Sequence, residues 1–452
     1  MSVDRSKLKK LLVSVLVLFV LFSIVGYKYR GLIRLKMLFV LHSFDDAPQV
    51  VDDNAIPPGA WRPARATAMV ESDLSDLSDA EKEQIELLRS LGYLSGYEEA
   101  PIEMQVTVYD TTKANPGYNI LISGHGPGID LIDMEGNVVH NWFNSEVSLY
   151  GIWPDAQDQE IPIDFWRRTY LFENGDLIVM IEGGGVVKID KDSRLLWSSE
   201  FLGAHHDVDV DENGNVYTIG RDIHINENYF PDKYISEDYI CILDSLGNRT
   251  HWISTLDVLR NSKYAPTLRR MPDGGDVLHC NTIEYIRPDM LPEGYYGPLR
   301  SGSVLLSFRA TDLVCAVDLE EETAYWAESD LWHMQHQPNV MPDGSMLVFD
   351  NRGLGEVSTI LQFDPSTSEV LWFYRGNEEN PFYSLGSGSC QRLRNGNTLI
   401  TESTMGRAFE VTSEGEIVWE FYNPHRAGEN LELIATLFET VRVEPEMIEG
   451  WL

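Results

Sequence analysis

From about residue 105 onward, apolar and polar residues alternate in short runs broken by Gly, Asn and Asp. This period of two marks β-strands, and the breaks mark tight turns. Six segments join a polar turn to a strand carrying tryptophan: DMEGNVVHNW, DKDSRLLW, DSLGNRTHW, DLEEETAYW, DPSTSEVLW and TSEGEIVW. Their tryptophans are Trp142, Trp197, Trp252, Trp326, Trp372 and Trp419, spaced by 55, 55, 74, 46 and 47 residues. A second turn recurs earlier in the unit, in ENGDLIV, ENGNVYT, PDGSMLV and RNGNTLIT. Asn-Gly and Asp-Gly supply the positive-φ residues that two-residue hairpins need.

Each unit therefore reads as strand a, turn, strand b, strand c, turn, strand d with its tryptophan. Repetition at this length is the signature of a propeller, one four-stranded sheet per blade. The expected fold is all-β, a six-bladed β-propeller over residues 105–452. Helices between the strands, which a TIM barrel requires, are missing. Two segments could supply the inner strand that closes the ring, QVTVYD at the start and FETVRVEPEMI at the end. The pattern leaves both open.

Two stretches depart from the repeat. Leu11 to Tyr27 reads LLVSVLVLFVLFSIVGY behind Arg5, Lys7, Lys9 and Lys10. A basic flank before an apolar run predicts an N-terminal transmembrane helix acting as an uncleaved signal anchor, with a juxtamembrane segment to residue 44. Residues 45–104 read as a linker rich in Asp, Pro, Ala and Ser. Within it Ser78 and Glu81 form a capping box and Gly92 a stop, which predicts a short helix over 79–91.

Charge narrows the partners. The net charge is −36, while residues 1–36 hold eight Lys/Arg and one acid. The acidic body repels polyphosphate, so no nucleic acid is expected. An anionic small molecule would need a local positive pocket. The four cysteines, Cys241, Cys280, Cys315 and Cys390, match neither a zinc motif nor a disulfide framework.

The histidines fall at repeated positions. His206 lies eight residues before Gly214 of its turn, and His336 lies eight before Gly344. Both therefore start a strand a, which lines the central channel. His279 opens HCNTIEYI, another strand a, whose hairpin carries an insertion around 288–302. Three blades thus bring a histidine to one mouth. Strand b returns there, bringing Arg309 at the end of VLLSFR, Asp350, Asn351 and Arg352 after VF, and Arg221 after the strand that follows His206. Neutral imidazole can attack an electrophile, and Arg offers a fixed fork of donors for sulfuryl or phosphoryl oxygens. A zinc site of His206, His279 and His336 is the competing reading, against which Arg309 stands as a repelling cation. His205 should point the other way on its strand, and His333 should lie in the entry loop. His125, His140, His224, His251 and His425 belong to no motif.

Several stretches resemble the bacterial arylsulfate sulfotransferase family: TVYDTTKANPGYNILIS, the HHD at 205–207, the HCN at 279–281, VLLSFR at 304–309 and QHQPNVMPDGSMLVFDN at 335–351. The resemblance runs from about residue 105 to about 420. It implies a six-bladed propeller and an exported enzyme that moves a sulfuryl group from a phenolic sulfate donor to a phenolic acceptor without a nucleotide donor. No cofactor is expected, and Arg309 beside the three histidines predicts anion binding and no catalytic metal. By resemblance His336 is the attacking nucleophile, His279 and Arg309 hold the sulfuryl oxygens, and His206 is a further active-site histidine. Asn281 and Asn351, within the matched stretches, are read as substrate-binding. The segment before residue 105 is too short for the N-terminal β-sandwich of the best-known members. With the anchor, the expectation is a membrane-bound propeller in the periplasm or outside the cell. The alternative from another class is a non-catalytic anchored propeller that binds a ligand or partner protein at the same mouth.

Overall fold

The computed structural model describes residues 103–154, 165–353, 357–427, 431 and 433–452, with three short strands, Trp61–Pro63, Arg65–Ala66 and Tyr97–Glu98. The predicted anchor at 11–27 and the predicted helix at 79–91 lie outside these residues. Among the described residues no helix is long and apolar enough to cross a membrane.

Six four-stranded antiparallel sheets follow one another as blades. Their inner strands are Leu437–Val443, Trp166–Leu171, His205–Val210, Cys280–Tyr285, His336–Val340 and Ser389–Arg392, for blades 1 to 6 in turn. Both candidate closing segments are used, in different places. The C-terminal strand Leu437–Val443 is the inner strand of blade 1 and pairs with Tyr118–Ser123. The N-terminal strand Gln105–Tyr109 instead adds a fifth strand outside blade 6, opposite Ile417–Tyr422. The long interval between Trp252 and Trp326 holds two insertions. One is a helical segment between blades 3 and 4, Thr255–Arg260 and Ala265–Arg270, and the other is the expected hairpin extension that contains the turn Pro288–Met290.

The middle strands b and c are packed between neighbouring blades. Leu177–Ile181, Val304–Phe308, Met346–Asp350 and Arg407–Val411 are buried at every position, which is why these runs are continuous rather than alternating. The outer tryptophans latch blade to blade. Nε1 of Trp142 donates to Gly175 O in blade 2 (3.1 Å), that of Trp326 to Pro365 O in blade 5 (3.0 Å), and that of Trp419 to Met134 O in blade 1 (3.0 Å). Trp197 lies over Gly247 in the turn of the next blade. A Cβ there would come within 2.5 Å of the indole, and the residue's φ of +85° independently requires glycine.

The inner strands have a free edge at the channel, so their backbone N–H groups need partners from elsewhere. Side chains of the preceding blade supply them. Asp207 accepts from Ile283 N (3.1 Å), Asp209 from Tyr285 N (2.8 Å), and Glu284 from Val340 N (2.9 Å). Between blades 6 and 1, Thr401 accepts from Thr440 N and Gln391 from Arg442 N. The result is a polar girdle around the channel. Across it, Gln337 of blade 5 donates to Glu439 of blade 1, which also pairs with Arg168 of blade 2 at 2.6 Å.

Candidate active site

Three inner strands begin with an irregularity that turns polar side chains into the mouth. Positive φ occurs at His206 (66°), His279 (53°) and Gln337 (41°), and the ladder slips beside each of them. Such bulges re-aim side chains that a regular strand would send into the blade.

His336 is buried and its ring is held from both sides. Nδ1 donates to Asn351 Oδ1 at 2.7 Å and approaches Met334 O at 3.1 Å. Asn351 has no freedom to flip, because its Nδ2 donates to Ser384 O and Ser387 O, each at 2.7 Å. Its oxygen must therefore face the imidazole, and the proton must sit on Nδ1. Nε2 is left as the lone-pair nitrogen and accepts from Ser387 N at 3.3 Å. Burial, followed by the Arg309 charge, holds this imidazole well below its usual pKa, so it is neutral.

The second group is His205, His206 and His279. The rings of His206 and His279 meet edge to face with centroids 4.9 Å apart. His279 Nδ1 lies 2.6 Å from Asp276 Oδ2. Burial acts to raise the Asp276 carboxyl, yet His279 and Arg221 together hold it below the ordinary carboxylate range. His206 Nδ1 is 2.6 Å from His205 Nδ1, and His205 Nε2 is 3.0 Å from Asp238 Oδ1. Asp238 also accepts from Cys280 N at 2.6 Å, tying blade 3 to the start of strand a in blade 4. Burial, then Arg167, keeps His206 neutral. His205, expected to face away, is thus its hydrogen-bond partner, because the bulge at His206 breaks strict alternation.

Cations supply the local positive field that the acidic body lacks. Arg309 follows the end of VLLSF, with its N–H on His279 O at 3.0 Å and a guanidinium nitrogen 3.9 Å from Met334 Sδ. Arg221 lies 3.5 Å from His205 Nδ1 and 3.6 Å from Asp276. Arg167, which the sequence reading passed over, belongs here as well. Its Nη2 reaches Ser387 Oγ (3.5 Å), its Nε pairs with Glu182 (3.1 Å), and its charge lowers the pKa of both His206 and His336. The signal was present, since Arg167 lies eight residues before Gly175, the same offset that marks His206 and His336.

Asn351 and Asn281, read as substrate-binding, are both buried and bonded to protein. Asn351 is fully buried and spends every polar atom on protein. Asn281 is buried and donates to Gln335 O at 2.7 Å, joining blade 4 to the approach of His336. Asn351 is thus tied to His336, and Asn281 to the residue before it. Cys280 and Cys390 are buried free thiols, and burial raises the thiol pKa of each. His333 lies at the surface with Nδ1 3.1 Å from Asp312.

Residues 168–424 match the sequence model of the arylsulfotransferase (ASST) family, more than half of the chain. The chain belongs to the arylsulfotransferase family. Membership implies a transferase, and the family suggests aryl sulfates and phenols as small-molecule substrates. No protein of curated function matches it in sequence. Solved structures similar to this arylsulfotransferase family member include a protein of unknown function from Bacteroides caccae, 11% identical, covering 71% of this chain and 99% of that one, TM-score 0.45. The β-propeller domain of Myceliophteria thermophila Cps50 (Swd1) is 10% identical and covers 76% and 99%, TM-score 0.42. Virginiamycin B lyase from Staphylococcus aureus is 9% identical and covers 57% and 69%, TM-score 0.33. At these values they bear on neither substrate nor site.

Proposed function

We propose that this protein moves a sulfuryl group from a phenolic sulfate ester to a phenolic acceptor through a sulfohistidine at His336, with no nucleotide donor. The observation that carries the reading is the fixed tautomer of His336, with Nδ1–H locked onto Asn351 and Nε2 left as the lone-pair nitrogen of an imidazole that burial and the charges of Arg309 and Arg167 keep neutral.

In the first half, the Nε2 lone pair attacks sulfur and the S–O bond to the aryl group breaks, its electron pair leaving on the phenolate. Negative charge on the three sulfuryl oxygens meets Arg309, with Arg167 beside it, and the Ser387 N–H leaves Nε2 as that lone pair turns to sulfur. Preorganised donors of this kind stabilise charge where it develops. The imidazole becomes cationic as the N–S bond forms, and the hydrogen bond from Nδ1 to Asn351 Oδ1 strengthens with it. His279, oriented by Asp276, supplies the proton to the departing phenolate. In the second half an acceptor phenol gives its proton to the same base and attacks sulfur, and the N–S bond breaks. Two half-reactions through one intermediate give ping-pong kinetics.

The apolar run at 11–27 behind a basic flank supports the rest of the reading, in which the enzyme is held at a membrane with the propeller outside the cytoplasm.

The test is phenol release from an aryl sulfate, with and without added phenol, followed by peptide mass spectrometry of enzyme given donor alone at alkaline pH. Sulfonation on the peptide containing His336, with both halves lost in His336→Ala and His336→Asn, is the expected result. Full transfer by His336→Ala would overturn the mechanism.

A further inference from the structure

At the seam where blade 6 meets blade 1, three side chains that the transfer reaction does not use converge. His125 lies in the hairpin between strands b and c of blade 1, Asp130 in strand c (Gly128–Ile132), and His425 just after strand d of blade 6. Each offers one ligand atom, and these atoms lie within 4.8 Å of one another. The His425 Nε2 is 2.8 Å from Asp130 Oδ2, while the other carboxylate oxygen accepts from Asn141 Nδ2 at 2.6 Å. The rings of His125 and His425 stack with centroids 3.6 Å apart and planes 7° from parallel. His125 Nδ1 is buried and has no hydrogen-bond partner.

An orphaned ring nitrogen, a second imidazole and a carboxylate held by an amide form a donor set with its outer shell already in place. Two imidazoles and one carboxylate suit zinc and disfavour magnesium or calcium, which take oxygen ligands. We propose that His125, Asp130 and His425 bind one zinc-like divalent ion that pins blade 1 to the end of blade 6.

The geometry needs a small closure. Ligands about 2.0–2.1 Å from a tetrahedral ion lie roughly 3.4 Å apart, so the cluster contracts by about an ångström. The imidazole lone pair lies in the ring plane, so the two rings tilt out of their stack to share an ion. The catalytic histidines do not compete on these terms, because Arg309, Arg221 and Arg167 surround them, and among the described residues only the seam cluster brings three such ligands together. The ion's role is a clasp. The Asn423 Nδ2 beside it joins Ser123 Oγ (2.8 Å) to Ala435 O (2.9 Å), so the same corner already links both blades to the strand that precedes ring closure.

The experiment uses the purified full chain, stripped with chelator, and titrates it with Zn²⁺ by calorimetry and with Co²⁺ by absorption spectroscopy. One equivalent should bind, with the intense visible bands of four-coordinate Co²⁺, and Zn²⁺ should raise the melting temperature where Mg²⁺ does not. His125→Ala and His425→Ala should each abolish that equivalent. Asn141→Ala, which keeps every ligand, should weaken it ~10–100-fold. His279→Ala should leave the stoichiometry unchanged. His125→Ala should melt below the stripped parent protein, having lost the ring stacked on His425, and Zn²⁺ should no longer raise its melting temperature. Zn²⁺ failing to bind the parent protein, or binding that survives both His125→Ala and His425→Ala, would overturn the site.

Discussion

Asn351 Oδ1 sits 2.7 Å from His336 Nδ1, and that one contact selects which ring nitrogen can act as nucleophile. Replacing Asn351 by Ala frees the ring to carry its proton on either nitrogen and to rotate. The expected result is a fall in kcat of about 10²–10⁴-fold, the upper figure being the cost of a wrong tautomer in a Ser–His–Asp hydrolase. Nitrogen-15 NMR of the labelled histidine should report a mixed tautomer in the variant and a single Nδ1–H form in the parent. An unmixed tautomer with full activity would remove Asn351 from the mechanism.

Arg309→Ala should leave a slow enzyme, with a loss of ~10²–10³ in kcat, because one transition-state contact is worth about that much. It should also move the pH profile in a fixed direction. Burial and Arg309 lower the pKa of His336, so the neutral nucleophile persists into acid. The acid limb of donor-half activity should therefore lie below pH 6.5 in the parent enzyme. Removing the cation raises the pKa, so the limb should shift upward in Arg309→Ala. Stopped-flow phenol release across pH 4.5–8 measures both effects.

The girdle carries its own pH dependence. Burial, then Asp209, raises Glu284 to about 8, above the value an unfolded chain would give. The folded state therefore prefers the protonated acid. Its contribution is fully present below about pH 4.5 and is lost as pH rises through 8. Glu284→Gln keeps an oxygen for Val340 N–H and carries no charge. Its melting temperature should match the parent at pH 5 and exceed it at pH 9. A gap that is constant with pH would show that Glu284 is not the titrating group.

The tryptophan latch predicts a stability effect without a chemical one. Trp326→Phe keeps an aromatic ring but loses the bond to Pro365 O, at about 1 kcal/mol and roughly 2–4 °C in Tm. Gly247→Ala should cost more, because it combines a positive φ with contact against Trp197. Both variants should keep the parent kcat at low temperature, measured by phenol release.

Orientation is tested on intact cells. Protease added to spheroplasts should digest the propeller and leave cytoplasmic markers whole. Full protection would place the acidic body inside the cytoplasm.

The repeat was legible because propeller blades leave a mark at every level. Turn residues, buried middle strands and outer tryptophans recur in one order, while the spacing stretches only where a loop is inserted. His206 and His336 were visible because their distance from the following glycine is conserved within the chain itself. Arg167 carries the same offset, yet arginine next to Arg168 on a strand reads as ordinary surface charge. His205 was set facing away because strand alternation assumes a regular ladder, whereas the ladder slips between His205 and Val208 at a bulge that no local pattern announces. The His125–Asp130–His425 corner was beyond reach because it joins positions 300 residues apart, and neither histidine repeats in another blade.

Glu439 serves three blades with one carboxylate: from its place in blade 1 it accepts from Gln337 of blade 5 and pairs with Arg168 of blade 2. The strand that carries it is the one that completes blade 1. That carboxylate is therefore a keystone, set only when the last inner strand arrives, and the three blades settle together rather than one at a time.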